Sequence, residues 1–243
     1  MLTHRLTSPW NFKQGFLILL SFVVLYLALS AGHMIWVKYT VGVEQYLTKQ
    51  TDFFVKVMIT SQAIKALAII LVIGLIATKY YRVSWHALGF KATSWRWVCI
   101  AIVAAILAFI VRLYLMKWLA TEVPAWVKFM QPPLQDLSLS NASLATYLLL
   151  TIIITPVVEE IFFRGFLFQW MSSNRPVWLA AIVSSIMFGV SHIVPPQAIA
   201  AAVLSLVIIV LFVCSGSIWP AIVAHVVNNT LSVGYNLMLH LND

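Results

Sequence analysis

Long apolar runs separated by polar or basic connections set the pattern of this chain. Seven runs are readable, at about residues 15–37, 57–78, 98–120, 144–170, 177–194, 197–214 and 218–240. At about 1.5 Å rise per residue, each crosses or nearly crosses a hydrocarbon core about 30 Å thick. The fifth and sixth are short, so tilt or local thinning of the bilayer is expected there. Lipid-exposed strands would have to close into a barrel, and no ten-residue alternation supports one. The pattern predicts an all-α, polytopic transmembrane helical bundle of seven or eight spans.

Three connections are substantial: residues 38–56, 79–97 and 121–143. The second carries Lys79, Arg82, Lys91 and Arg96 with Trp85, Trp95 and Trp97, a composition suited to a membrane interface. In the third, residues 125–130 are expected to lie flat on the surface. The connections at 172–176, 195–196 and 215–217 are tight, which makes spans four to seven antiparallel neighbours in one bundle. Ala28-Leu29-Ser30 resembles a signal-peptidase site, but the apolar run continues through Val37, and an uncleaved first span is expected. Lysine and arginine counts favour a cytoplasmic N-terminus.

Composition agrees with the pattern. The 243 residues are 62% hydrophobic and 9% charged, whereas soluble domains are about 45–50% apolar and about 25% charged. The expected location is the cell membrane, multi-pass. The net charge of +8 lies mostly at the ends of apolar runs, where the lipid bilayer is its natural partner. No basic stripe with interleaved aromatics is present, so nucleic acid is not expected as a partner. Cys99 and Cys214 suggest neither a disulfide framework nor a metal cage.

Against this background one stretch stands out. Five of the seven acidic residues sit in polar connections or at the C-terminus, but Glu159 and Glu160 lie inside the fourth apolar run, with Arg164. Each ionisable group at membrane depth costs roughly 2.5–3.5 kcal/mol, which makes a functional site the default reading. Glu160 and Arg164, four apart, share a helix face and can pair. Glu159 is rotated about 100° from Glu160 and needs another partner. The simplest division makes Glu160–Arg164 an anchoring pair and Glu159 a free, reactive carboxylate. Taken alone, the span also fits a purely structural ion pair. Pro156 removes a backbone donor a turn earlier, which frees carbonyls or admits water beside Glu159.

Two later runs carry matching polar groups. The fifth has Phe188 and His192 on one face, with Gly189 allowing a close helix approach. The seventh has His225 and Asn229 on one face, bordered by Asn228. Singly, such histidines and asparagines also serve as interfacial groups or packing contacts between membrane helices. Counted along the helices at about 1.5 Å per residue, Glu159, His192, His225 and Asn229 reach overlapping depths, so three helices can build one site. Lys65 and Arg112 also lie within apolar runs and either pair internally or snorkel.

At these residues the chain resembles the CAAX protease and bacteriocin-processing (Abi) family of intramembrane peptidases. The matches are Glu159-Glu160-Ile161-Phe162-Phe163-Arg164, Phe188 to His192, His225 to Asn229, and Ser215-Gly216-Ser217-Ile218-Trp219-Pro220. The resemblance covers about residues 144–240, the expected catalytic core, while residues 1–143 are not diagnostic. It implies an intramembrane endopeptidase acting on a membrane-associated peptide or protein tail. Glu159 would activate a water with His192 as partner, and His225 and Asn229 would stabilise the oxyanion. Glu160, Arg164, Asn228 and Phe188 would support them. Glu159, His192 and His225 also match a His₂Glu zinc site; the metal-free glutamate mechanism is preferred and no cofactor is expected. The alternative is a transporter or immunity-type membrane protein that uses the same polar cluster for binding. The lack of repeat symmetry weighs against a secondary transporter.

Overall fold

The computed structural model describes residues 7–40, 52–126, 140–192 and 194–241, with the side chains of 52–54 and 239–241 left out. Among the described residues, seven principal helices form the bundle, and they follow the apolar runs. They are α1 (Phe12–Thr40), α2 (Asp52–Leu71, continued by a π-wound segment Val72–Tyr80), α3 (Trp95–Glu122), α4 (Asn141–Asn174), α5 (Val177–Val190), α6 (Pro195–Ser215) and α7 (Trp219–Leu241). Short 3₁₀ turns at Trp85–Leu88 and Pro124–Trp126 complete the described elements. Among the described residues, five helices are long and apolar enough to cross a membrane: α1, α2, α3, α4 and α6. The protein is a multi-pass membrane protein.

Outward faces are apolar, as lipid requires. In α1 the buried residues are Gly15, Ile18 and Val37, whereas Leu17, Val24 and Leu27 are exposed. A helix apolar on all sides fits a membrane span.

The α4 helix is the hub, packing against α1, α2, α5 and α7. One apolar cluster, with Ile69, Ile73, Phe162 and Phe166, fills the space between α4 and the first two helices. A second, with Ala101, Phe168, Ile208 and Ala221, joins α4 to α3, α5, α6 and α7. The antiparallel neighbours α5–α6 and α6–α7 pack together as the short connections require, and α3 lies against both α6 and α7. Gly189 lets α5 approach α6 closely: a Cβ there would lie 2.5 Å from the carbonyl oxygen of Ala198. Past α6, Gly216 takes φ +66° and reverses the chain, and Ser217 Oγ donates to Lys91 O at 2.6 Å. This fixes the start of α7 against the α2–α3 connection.

Several boundaries differ from the sequence expectation. Helix α4 is longer, beginning at Asn141 after the Ser140 cap, whose Oγ accepts from Ser143 N at 3.2 Å. Helix α5 ends at Val190 rather than near 194, so His192 sits in the turn after the helix. Pro195 and Pro196 open α6 rather than forming a connection, because proline fits the first helical turn, where its missing N–H costs nothing. Of the segment expected to lie flat at 125–130, residues 127–130 fall outside the described residues, and Ala125 and Trp126 belong to a 3₁₀ turn.

Within α4 the winding changes. Leu150–Ile154 and Ile161–Phe168 are π-wound on either side of Thr155–Glu160. Proline in a helix interior removes one donor and crowds the preceding turn, and a wider local winding relieves that crowding. The helix therefore runs through Pro156 unbroken.

Candidate functional site

The geometry of the site starts from the Pro156 winding. Thr155 N–H donates to Leu150 O, a π-type bond. By the same register Thr151 O would look to residue 156, which is proline and has no N–H. Asn229 Nδ2 on α7 donates to that carbonyl at 2.9 Å. Pro156 was expected to free carbonyls or admit water, and the Thr151 carbonyl holds the asparagine. Asn229 Oδ1 lies 3.4 Å from Asn228 Nδ2.

The two glutamates diverge as their 100° rotation requires. Glu160 and Arg164 are fully buried. Arg164 NH1 donates to Glu160 Oε1 at 2.9 Å, and NH2 donates to Ser205 Oγ at 2.9 Å and Ser205 O at 3.2 Å on α6. The guanidinium carbon lies 4.8 Å from the Phe188 ring centroid, close enough for a cation–π contact. Phe188 is itself buried against Phe163, His192 and His225.

Glu160 has a second partner, His225 Nδ1 at 2.7 Å. Because a carboxylate only accepts, Nδ1 carries the proton and Nε2 points away from the pair. His225 Nε2 lies 3.8 Å from Glu159 Oε2, beyond hydrogen-bond reach. His192 Nδ1 lies 2.9 Å from Phe188 O, which assigns the proton to Nδ1 and leaves Nε2 as its open position.

Glu159 is not a free carboxylate, and here the sequence reading is corrected. Lys65 Nζ on α2 donates to Glu159 Oε1 at 2.5 Å, and it lies 3.4 Å from Ser191 Oγ. The lysine had been expected to pair or snorkel, and it pairs, 94 residues away in the chain. Spacing on one helix could not reveal it; an ionisable residue mid-span on α2 was the available signal.

Glu159, His192, His225, Asn228 and Asn229 all line one cavity of about 480 Å³, together with Phe188. Lys65 and Arg112 reach the same cavity from α2 and α3. Glu160 and Arg164 do not line it; they sit behind the wall. Every sequence-predicted site residue is therefore either on this cavity or supporting it.

The zinc alternative is tested by the donors. Among the described residues no three His, Cys, Asp or Glu side chains converge in a way that could hold a metal ion. The Lys65 ammonium also lies on the Glu159 carboxylate, so a bound cation would meet a like charge there. As arranged, this donor set does not fit zinc.

Comparisons with known proteins agree with the motif resemblance. Residues 141–231 match the family model described as type II CAAX prenyl endopeptidase, Rce1-like. No curated protein and no solved structure matches the chain. The match runs from the first residue of α4 well into α7, and so spans Glu159, His192, His225 and Asn229. By this match, the segment that supplies those four side chains is similar to the type II CAAX prenyl endopeptidase Rce1-like family.

Proposed function

We propose that the cavity hydrolyses a peptide bond of a membrane-associated peptide or protein tail, by a glutamate mechanism without metal. One observation carries this reading: a carboxylate from α4, an imidazole from the turn after α5, and an imidazole and a carboxamide from α7 converge on one cavity.

Amide hydrolysis needs a base for water, donors for the developing oxyanion, and a proton for the leaving amine. Glu159 takes a proton from water as the water oxygen bonds to the scissile carbonyl carbon. Lys65 holds one carboxylate oxygen, which leaves Oε2 toward the cavity. Asn229 is oriented by its bond to Thr151 O, and its second N–H is available to the oxyanion. His225 donates to the oxyanion from Nε2 only as an imidazolium, since Nδ1–H is committed to Glu160. The Glu160 carboxylate stabilises that cation and fixes the ring, as a buried carboxylate does for histidine in hydrolytic triads. When the C–N bond breaks, the proton reaches the leaving amine through Glu159 or His192 Nε2.

The test is cleavage by purified protein in vesicles. A membrane-anchored peptide is supplied, products are identified by mass spectrometry, and zinc is measured by elemental analysis. Full turnover with zinc far below stoichiometric supports the reading. Turnover that rises in proportion to bound zinc would contradict the metal-free mechanism, and transport of the peptide without cleavage would contradict hydrolysis.

A further inference from the structure

A threonine inside a helix usually turns its hydroxyl back to the carbonyl four residues earlier. Thr40, Thr60, Thr78, Thr146 and Thr230 all do so. Thr151 and Thr155 depart from this pattern. Their hydroxyls cross to α2 and donate to one atom, Gln62 Oε1, at 3.2 and 3.4 Å. A carboxamide oxygen has two lone pairs and can accept both.

The two threonines flank the weakest point of the α4 ladder. Pro156 offers no N–H to Thr151 O, so that carbonyl lacks a partner within its own helix. It is the carbonyl that Asn229 takes from α7. With a ladder bond missing, the place of Thr151 depends on contacts from outside α4, and Gln62 supplies them. Three residues on, about 4.5 Å along α2, Lys65 holds Glu159 Oε1. Gln62 and Lys65 share a helix face, and both line the cavity. One face of one helix therefore grips both the turn that carries Asn229 and the glutamate itself. A further cross-helix bond on this cavity, Arg112 on α3 to Ser232 Oγ on α7, holds neither the glutamate nor Asn229. Gln62 and Lys65 come from residues 1–143, the part whose sequence is not diagnostic.

We propose that Gln62 is a positioning residue for hydrolysis: through the Thr151 and Thr155 hydroxyls it fixes the carbonyl that aims Asn229 at the oxyanion. With Lys65 on the same face, α2 is a splint that sets the spacing between the base and the oxyanion donor. This inference rests on the hydrolytic reading above.

The experiment measures kcat and KM for a membrane-anchored peptide in vesicles. It also measures Kd for the same peptide with a phosphonamidate at the bond the wild type cuts. The phosphonamidate imitates the tetrahedral oxyanion, so its affinity reports how well the oxyanion donors are placed. Gln62→Met, unbranched and of similar length, is expected to lower kcat roughly ten- to hundredfold, the scale for a misplaced catalytic group, with KM within about twofold. Phosphonamidate affinity falls by a similar factor. Thr151→Val reproduces the loss, whereas Thr151→Ser, which keeps the hydroxyl, retains most of the activity. In an Asn229→Ala background Gln62→Met has little further effect, because residues that act as a unit are not additive.

A wild-type kcat in Gln62→Met overturns the assignment. So does a loss that persists undiminished in the Asn229→Ala background, which would mean that Gln62 acts on Glu159 or on the fold. A loss confined to KM would make Gln62 a substrate contact and overturns it too. If Gln62→Met does not fold, Thr151→Val against Thr151→Ser decides, and equal rates in that pair overturn the inference. A wild type that cuts no peptide overturns the hydrolytic reading, and this inference with it.

Discussion

Adjacent glutamates on α4 sit in two different environments. Behind the cavity wall, Glu160 closes a network with Arg164, Ser205 and His225, packed under Phe188. On the wall, Glu159 meets one cation, Lys65, and faces about 480 Å³ of cavity. One step of helical rotation, about 100°, separates a group packed behind the wall from a group that faces the cavity. The lesson is that membrane depth alone does not mark a reactive carboxylate. What distinguishes Glu159 is an open side, and what distinguishes Glu160 is that its partners are themselves buried.

The comparison is broken most severely from the sealed side. Arg164→Met leaves Glu160 buried with its main counter-charge removed, and breaking a buried pair in this way costs about 3–5 kcal/mol. The thermal midpoint of the purified protein is expected to fall sharply; an unchanged midpoint would show that the network is not structural. Asn229→Ala removes the proposed oxyanion donor, and turnover is expected to fall about 10²–10³-fold, with the midpoint lowered only modestly by loss of the bond to Thr151 O. Both are read by steady-state kinetics beside a melting curve. Lys65→Met leaves Glu159 without the group that holds it. Misplacement of a reacting group costs up to about 100-fold, so a loss of roughly ten- to hundredfold is expected, with bilayer insertion unaffected. Ser205→Ala is the mildest change: Arg164 keeps Glu160 and the Ser205 carbonyl, and a loss of about 1 kcal/mol is expected by denaturation.

Much of the fold is legible because apolar runs of span length have few alternatives in a membrane. The ends were less legible where one residue type serves two purposes. Pro195 and Pro196 read as a connection, yet they start α6. The site was legible where partners share a helix, as Glu160 and Arg164 do. It was illegible where partners come from distant helices. Nothing in residues 61–69 says that Lys65 reaches Glu159, and no helical period links Arg112 to Ser232. His225 is an intermediate case: its place on the cavity followed from its face with Asn229, but its bond to Glu160 did not. The role of Pro156 was half visible, since a freed carbonyl follows from any interior proline. That Asn229 would take the carbonyl of Thr151 depends on the π-winding, which leaves no mark in the composition.

The central claim is that Glu159, and not its neighbour, acts on water from the cavity side. Glu159→Gln keeps the shape and can still accept from Lys65, but it cannot take a proton at the active pH. Turnover of a membrane-anchored peptide by purified Glu159→Gln, measured beside its melting curve, tests the claim most directly. The account predicts turnover reduced by about 10²–10⁴-fold, the range for loss of a general base, in a protein that still folds and inserts. Turnover within a few-fold of wild type in that variant would contradict it.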